Sequence, residues 1–151
     1  MAQNGLGLLH ADAGRHAEAA AAFEQACRLD PTNPSYWTNL GNARAGIGDG
    51  RGAEAAYAKA LDADAEFADA LNGLGTVRVQ AGRAAEAVPL FERALKSDPQ
   101  LFAARLNLGI ALHESGQRER AAAVYRELLA TAPPSAKRER EAAAELLKQL
   151  R

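Results

Sequence analysis

The sequence is poor in the residues that build disulfides and bulky cores. It has one cysteine, Cys27, and aromatic residues make up 5% of its 151 residues. A lone cysteine cannot form an intramolecular disulfide, so it does not show whether the protein lies in an oxidising or a reducing compartment. A reducing compartment is compatible with it. With so few aromatics, we expect the interior to be packed from small side chains that let the backbone come close together.

Charge of one sign and long apolar runs are also missing. The 18 Lys and Arg residues nearly balance the 19 Asp and Glu residues, for a formal net charge of -1. The net charge is therefore too small to attract nucleic acid or anionic lipid electrostatically. No apolar run reaches the roughly 18 residues that span a bilayer. The N-terminus lacks the basic segment and apolar core of a secretory signal. We expect no nucleic-acid or membrane partner and, by default, a cytoplasmic location, unless a targeting segment has been removed.

The abundant features are alanine, which favours helix, and a 34-residue repeat that occurs four times without insertion or deletion. A Leu-Gly pair recurs at Leu6-Gly7, Leu40-Gly41, Leu74-Gly75 and Leu108-Gly109. A glycine follows seven residues later, at Gly14, Gly48, Gly82 and Gly116. An alanine and an aromatic come next, at Ala19 and Phe23, Ala53 and Tyr57, Ala87 and Phe91, and Ala121 and Tyr125. Three copies end in a proline, at Pro31, Pro99 and Pro133.

Each copy is predicted to form two amphipathic helices, because its apolar residues follow the three-and-four spacing of a helical stripe. The second glycine should end the first helix in a left-handed cap, and the proline should stop the second helix. A single hairpin cannot bury its stripe, so the hairpins must stack into a solenoid. The predicted helices are residues 2-13, 17-29, 35-47, 51-62, 68-81, 85-96, 102-114, 118-130 and 136-150. Gly50 and Gly52 should weaken the start of the fourth, and Pro89 should distort the first turns of the sixth.

At these residues the chain resembles the tetratricopeptide-repeat family, and the resemblance covers residues 1 to 133. It implies an all-α, right-handed α-solenoid of four 34-residue helix-turn-helix repeats, at about 1-33, 34-67, 68-101 and 102-135 (repeats 1 to 4). Departures from the family pattern are local: His10, Arg44, Arg78 and Leu112 stand where the family usually has an aromatic residue. Trp37 alone keeps the family's tryptophan.

The two ends of the array differ. Residues 136-151 place Ala142, Ala143, Leu146 and Leu150 on one stripe opposite a charged face, as a C-terminal capping helix requires. The N-terminal repeat has no such cap, since Leu6 and Leu9 lie almost at residue 1. Two hypotheses follow: the chain is a piece of a longer protein, or this end packs on a second copy.

Catalytic, metal and cofactor sites are not indicated. The histidines His10, His16 and His113 do not converge, and Cys27 occupies the position that Leu61 has in repeat 2. The glycine-rich segment 46-50 lacks the lysine and hydroxyl residue of a phosphate-binding loop. We therefore predict a non-catalytic protein without a cofactor or a metal ion.

The resemblance implies a concave groove lined by the first helix of each repeat, whose partner is a protein or peptide. Its predicted lining is rich in amides and poor in charge: Asn4, Leu8, Thr38, Asn39, Asn42, Asn72, Thr76, Val79, Leu106, Asn107, Ile110 and His113. No cation is available there to hold a terminal carboxylate, which argues against the chaperone-tail clamp of some family members. Leu106 and Ile110 form an apolar spot that either holds one partner side chain or is covered by the closing helix.

The asparagines Asn4, Asn39, Asn72 and Asn107 look like the asparagine ladder in the repeat domain of O-linked N-acetylglucosamine transferase. A primary amide both donates and accepts, so such a row can bond successive peptide units of an extended chain. Alternate asparagines are offset by one residue, or about 100° around the helix. The alternative interpretation is that asparagine is simply common on the solvated face of this family.

Three functions remain open. The first is an interaction module that captures a segment of a partner, through the groove or the exposed N-terminal end. The second is the recruitment domain of a larger enzyme, such as a glycosyl- or sulfo-transferase. The third is self-assembly through the uncapped N-terminal repeat.

Overall fold

The computed structural model describes residues 1–150, which form an all-α solenoid of helix-turn-helix repeats. Every predicted helix is present, and no end differs from the prediction by more than one residue. The helices are α1 (Ala2–Asp12), α2 (His16–Leu29), α3 (Pro34–Gly46), α4 (Gly50–Ala63), α5 (Ala68–Gln80), α6 (Ala84–Ser97), α7 (Phe102–Glu114), α8 (Arg118–Thr131) and α9 (Lys137–Gln149). Residue 151, the last of the predicted capping helix, lies outside the described residues.

The turn within each repeat depends on a glycine in the left-handed region. The φ angles are 71° at Gly14, 81° at Gly48, 75° at Gly82 and 83° at Gly116. After α3, Gly48 N–H donates to the carbonyl of Ala45 and Asp49 N–H donates to that of Arg44, at 3.0 and 2.9 Å. These two bonds satisfy carbonyls that the helix end would leave unpaired, and they fix the angle at which the second helix leaves the turn.

The two expected weak points form regular helix. α4 begins at Gly50, where the Asp49 carboxylate accepts a hydrogen bond from Gly52 N–H at 2.9 Å and so caps the helix. α6 continues through Pro89, which the structure places inside the helix. A proline removes one backbone bond, and the burial of neighbouring Val88 and Leu90 holds the helix together around it.

The core repeats along the stack because each second-helix aromatic lies against a first-helix glycine. A Cβ on Gly41 would lie 2.5 Å from Cε1 of Tyr57, closer than any packing contact allows. Only glycine therefore leaves room for the ring against α3. At the C-terminal end, α9 packs against α7 and α8, with Ala143 fully buried and Leu146 against the last core cluster.

First helices approach one another more closely than second helices do. α3 contacts α5, α5 contacts α7, and α7 contacts α9, whereas no two second helices of the described chain pack comparably. A stack with shorter spacing on one side curves toward that side, so the first helices line its inner surface.

The N-terminal end of the stack is open to solvent. Leu6 is 45% exposed, whereas Leu40, at the same position of repeat 2, is 1% exposed. The difference arises because α2 covers Leu40 and no described helix precedes α1. None of the helices within residues 1–150 combines the length and apolar character needed to cross a membrane.

Candidate functional site

Two pairs of asparagines join neighbouring first helices along the inner surface. Asn39 Nδ2 donates to Asn4 Oδ1 at 3.0 Å, and Asn107 Nδ2 donates to Asn72 Oδ1 at the same distance. All four side chains are half-buried. The predicted asparagine row is therefore two hydrogen-bonded pairs, one between repeats 1 and 2 and one between repeats 3 and 4.

The one-residue offset of alternate asparagines is what makes the pairing possible. Each bond joins residues 35 apart, one more than the repeat length. The 100° rotation that this offset produces turns the second amide of each pair back toward the first. The asparagine pairs therefore recur every two repeats. The one-residue offset between paired asparagines in the sequence is what brings their side chains into contact in the fold.

Each pair retains groups that can bond a partner. Among residues 1–150, no protein group hydrogen-bonds Nδ2 of Asn4 or Oδ1 of Asn39, and neither atom is buried. In the second pair, Asn107 Nδ2 donates also to Thr76 Oγ1 at 3.2 Å, so its amide is held from two sides. The Thr76 hydroxyl in turn donates to the backbone carbonyl of Asn72 at 2.9 Å. Each pair therefore presents one amide donor and one carbonyl acceptor in fixed positions.

A tyrosine occupies the interval between the two pairs, although its position on a second helix did not predict that it lies at the groove. Tyr57 Oη donates to Asn42 Oδ1 at 2.7 Å, and Asn42 is exposed. The residue of α5 that lies against this ring is Gly73, where repeats 2 and 4 have the asparagines Asn39 and Asn107. The signal in the sequence was this glycine, because only a missing side chain leaves room for the ring.

Burial controls the ionisation of this tyrosine. Burial of the hydroxyl raises the pKa of Tyr57 to about 12, which further favours the protonated form that donates to Asn42. The same cause raises the pKa of Tyr125 to about 12, and the nearby Glu114 carboxylate adds to the shift. Tyr125 Oη is buried without a hydrogen-bond partner, because repeat 4 has Ile110 where repeat 2 has Asn42.

The prediction that Thr38 lines the groove is wrong. Thr38 is 3% exposed, and its Oγ1 donates to the carbonyl of Pro34 at 2.8 Å. A threonine in a helix can satisfy its hydroxyl on the preceding turn, which removes the need for solvent and allows the side chain to be buried. The equivalent position holds Asn4 in repeat 1 and Asn72 in repeat 3, so the difference lies in the side chain and not in the helix phase.

The predicted apolar spot is divided between the core and the groove. Leu106 packs on the last core cluster, which also contains Ala143 of α9, so the closing helix does contribute to its surroundings. Ile110 and His113 are half-buried further along α7. The structure therefore does not present Leu106 as a free anchor for a partner.

Residues 1–150 contain no cluster of reactive or metal-binding side chains. Cys27 is 2% exposed, and burial raises the pKa of its thiol to about 11, so the reactive thiolate is disfavoured. No three His, Cys, Asp or Glu side chains within the described chain are grouped closely enough to hold a metal ion. The inner surface instead offers neutral amides, suited to hydrogen bonding with a polypeptide.

Comparisons with known proteins agree with this architecture. A model described as "Tetratricopeptide repeat" matches residues 38–101 and 75–136, and one described as "TPR repeat" matches residues 7–48. No curated protein gives a significant sequence match.

Several solved structures have the same fold. The protein MamA is 25% identical, with a TM-score of 0.75 over 84% of this chain and 69% of its own. A thermophilic TPR protein of Thermus thermophilus is 20% identical, with a TM-score of 0.84 over 98% of this chain and 81% of its own. YrrB, described as a TPR protein with an unusual peptide-binding site, is 23% identical, with a TM-score of 0.72 over 98% of this chain and 82% of its own. Because these family models match most of its length, the chain belongs to the tetratricopeptide-repeat family.

Proposed function

We propose that this protein is a non-catalytic scaffold that binds an extended segment of a partner protein along the inner surface of α1, α3, α5 and α7. The observation that carries the proposal is the pair of inter-repeat amide bonds, Asn39 to Asn4 and Asn107 to Asn72. Proteins of this family generally act as scaffolds for protein or peptide partners. Peptide binding by YrrB, stated in that protein's description, is compatible with the same use of the fold.

The chemistry favours recognition of a peptide backbone. Within each pair, the Nδ2 group of the first asparagine and the Oδ1 atom of the second remain free, and together they are the complement of one peptide unit. Because Asn and Thr side chains are neutral, binding depends on hydrogen bonds and not on the charges of the partner. An extended segment crossing the stack would meet the first pair, the Tyr57–Asn42 hydrogen bond and then the second pair.

The double variant Asn39→Ala/Asn72→Ala tests the proposal, since it removes one member of each pair. We expect captured partners to be lost, with affinity reduced about tenfold or more, because each neutral hydrogen bond contributes about 0.5–1.5 kcal/mol. The measurement is quantitative mass spectrometry of proteins captured from lysate on immobilised wild type and variant. Circular dichroism should show unchanged helicity and a small decrease in melting temperature from the lost inter-repeat bonds.

The control is Gln25→Ala/Gln149→Ala, which removes two exposed amides outside the groove. It should capture the same proteins as wild type, in the same amounts. Equal capture by the asparagine variant and this control would show that the groove amides do not bind the partner, and the proposal would then be wrong.

Self-association is a second candidate function, favoured by the exposed end of the stack. Leu6 and Leu9 lie three residues apart on one face of α1, and they are 45% and 66% exposed. The residues at these positions in repeat 2, Leu40 and Ala43, are covered by α2. We propose that a second copy covers this face through its own α1, because the outer face of α9 is charged and cannot bury apolar side chains.

Mass by light scattering across protein concentration tests this second candidate. Wild type should increase in mass toward a dimer, whereas Leu6→Gln/Leu9→Gln should remain a monomer. Leu29→Gln is the matched control, since Leu29 is also exposed but lies at the end of α2. A wild-type mass that stays monomeric at all concentrations would exclude self-association by this face.

A further inference from the structure

The aromatic ring of each second helix is matched to one residue of the next first helix. Tyr57 lies against Gly73, sixteen residues later, on the first helix of the next repeat. The same offset relates the other three rings to their residues. The four combinations, in chain order, are Phe23 with Asn39, Tyr57 with Gly73, Phe91 with Asn107 and Tyr125 with Glu141. Both amide pairs therefore lie in contacts whose ring is a phenylalanine, which has no hydroxyl.

The first three rings take the same position on their own repeat. A Cβ on the Leu-Gly glycine of that repeat would lie 2.5 Å from Cε1 of Phe23, 2.5 Å from Cε1 of Tyr57 and 2.7 Å from Cε1 of Phe91. The tip of the Tyr57 ring points to the groove, where its hydroxyl donates to the exposed Asn42 at 2.7 Å. A hydroxyl on either phenylalanine would therefore reach the same level of the groove.

The spacing of the first helices differs between the tyrosine contact and the phenylalanine contacts. α3 contacts α5 more extensively than α1 contacts α3 or α5 contacts α7. A Cβ on Gly73 would lie 2.4 Å from Cζ of Tyr57 and 2.8 Å from its Oη, so this narrow contact has no room for a side chain at residue 73. In the two wider contacts, the amides of Asn39 and Asn107 cross from one first helix to the next.

A hydroxyl on Phe91 would compete for the amide of the second pair. Thr76 takes, in repeat 3, the position that Asn42 has in repeat 2. Its Oγ1 accepts a hydrogen bond from Asn107 Nδ2 at 3.2 Å. A hydroxyl at the tip of the ring would lie beside this bond and offer the amide another acceptor, at the expense of the bond to Asn72.

The first pair is open to the same competition. In repeat 1 the position of Asn42 holds Leu8, which has no polar side-chain atom. A hydroxyl on Phe23 would therefore have the Asn39 amide as its available partner, and this amide is the donor of the bond to Asn4.

We propose that Phe23 and Phe91 are positioning residues for the asparagine pairs. Because neither ring carries a hydroxyl, the amides of Asn39 and Asn107 bond the preceding asparagine and keep their carbonyls free. Packed helices lie about 8–10 Å apart, so pairs that recur every second repeat are separated by about 16–20 Å. This separation corresponds to about five or six residues of an extended chain, which would be the spacing of the two contacts in a partner segment. That last consequence rests on the proposed function, whereas the positioning role does not.

Side-chain NMR of the full chain tests the positioning role without a partner. The readout is the exchange with water of the Nδ2 protons of Asn39 and Asn107, compared with the exposed side-chain amide of Gln25. In wild type both asparagines should exchange more slowly than Gln25, because their amides are hydrogen-bonded and half-buried. Phe23→Tyr should bring the exchange of Asn39 to the rate of Gln25, and Phe91→Tyr should do the same for Asn107.

Two controls separate the added hydroxyl from a loss of packing. Phe91→Leu removes part of a fully buried ring and should lower the melting temperature more than Phe91→Tyr does, yet it adds no polar atom and should leave Asn107 protected. Tyr57→Phe removes the hydroxyl of the narrow contact and should leave the exchange of both asparagines unchanged. Capture from lysate, measured as for the asparagine variant, should fall for Phe23→Tyr/Phe91→Tyr.

Unchanged exchange of Asn39 and Asn107 in the folded tyrosine variants would overturn the proposal. An equal loss of protection in Phe91→Leu would also overturn it, because packing and not the hydroxyl would then control the pair. Faster exchange without a loss of captured proteins would support the positioning role and contradict the proposed function.

Discussion

Gly5 and Gly73 occupy the same position in repeats 1 and 3, yet the substitution of each by alanine should change stability in opposite directions. A Cβ on Gly73 would lie 2.4 Å from both Cε1 and Cζ of Tyr57. A Cβ on Gly5 would have no atom within 4 Å. The Tyr57 ring that lies against Gly73 comes from the preceding repeat, whereas no described helix precedes α1.

The expected sizes follow from packing distances. Carbon atoms pack at about 3.5–4.0 Å, so the Tyr57 ring would have to retreat by about 1 Å or more from an alanine at residue 73. The same ring also lies against Gly41, where a Cβ would be 2.5 Å from Cε1, so the ring cannot move closer to α3. Overpacking of this kind costs about 1–3 kcal/mol, and the better helix propensity of alanine recovers at most about 1 kcal/mol. Gly73→Ala should therefore destabilise the protein by about 1–2 kcal/mol.

Gly5→Ala has the propensity gain without the overlap and should stabilise the protein by up to about 1 kcal/mol. Urea unfolding followed by far-ultraviolet circular dichroism measures both free energies of unfolding. The cost of Gly73→Ala should disappear in a Tyr57→Val background, because the alanine then has space. Changes of the same sign at residues 5 and 73 would refute the packing argument.

The remaining predictions also compare equivalent positions. Tyr57→Phe removes a satisfied hydroxyl and should lower the free energy of unfolding by about 0.5–1.5 kcal/mol, whereas Tyr125→Phe removes an orphan hydroxyl and should raise it by about 1 kcal/mol; urea unfolding of both variants decides. Leu40→Ala should cost about 2–5 kcal/mol and Leu6→Ala clearly less, measured in the same way on dilute monomer. The raised pKa values favour the protonated tyrosines in the fold, so stability should be constant up to about pH 10 and fall as pH rises toward about 12, which unfolding curves in an alkaline series would show. Cys27 should react with a thiol reagent at pH 8 only after urea is added, and labelling of the folded protein at the rate of a free thiol would contradict its burial.

The helices could be predicted closely from the sequence because their signals are local. Glycine in the left-handed region and proline after the second helix mark the ends residue by residue, and four copies of the pattern confirm one another. Gly50, Gly52 and Pro89 were expected to weaken or distort α4 and α6, yet both helices are regular. The Asp49 cap and the burial of the apolar stripe outweigh a few residues of low helix propensity.

The candidate site was predictable in composition but not in its bonds. The asparagines, Thr76 and Asn42 could be placed on the inner helices by phase, and the structure puts them there. Their hydrogen-bond partners depend on the angle and position at which two different helices cross. A local sequence pattern does not specify that crossing. Thr38 was predicted to line the groove and is buried instead. Its burial is possible because its hydroxyl donates to a backbone carbonyl of its own helix.

A period of 34 residues and the position of each apolar stripe were enough to establish that hairpins form and that they must stack, because both follow from helix geometry and from the need to bury apolar surface. Which side chains meet across the stack is a matter of packing between residues 30 to 35 apart. That packing pairs Asn39 with Asn4 and Asn107 with Asn72, and it leaves Leu6 uncovered. These outcomes depend on the volumes of the facing side chains, and volumes combine only when the helices are brought together.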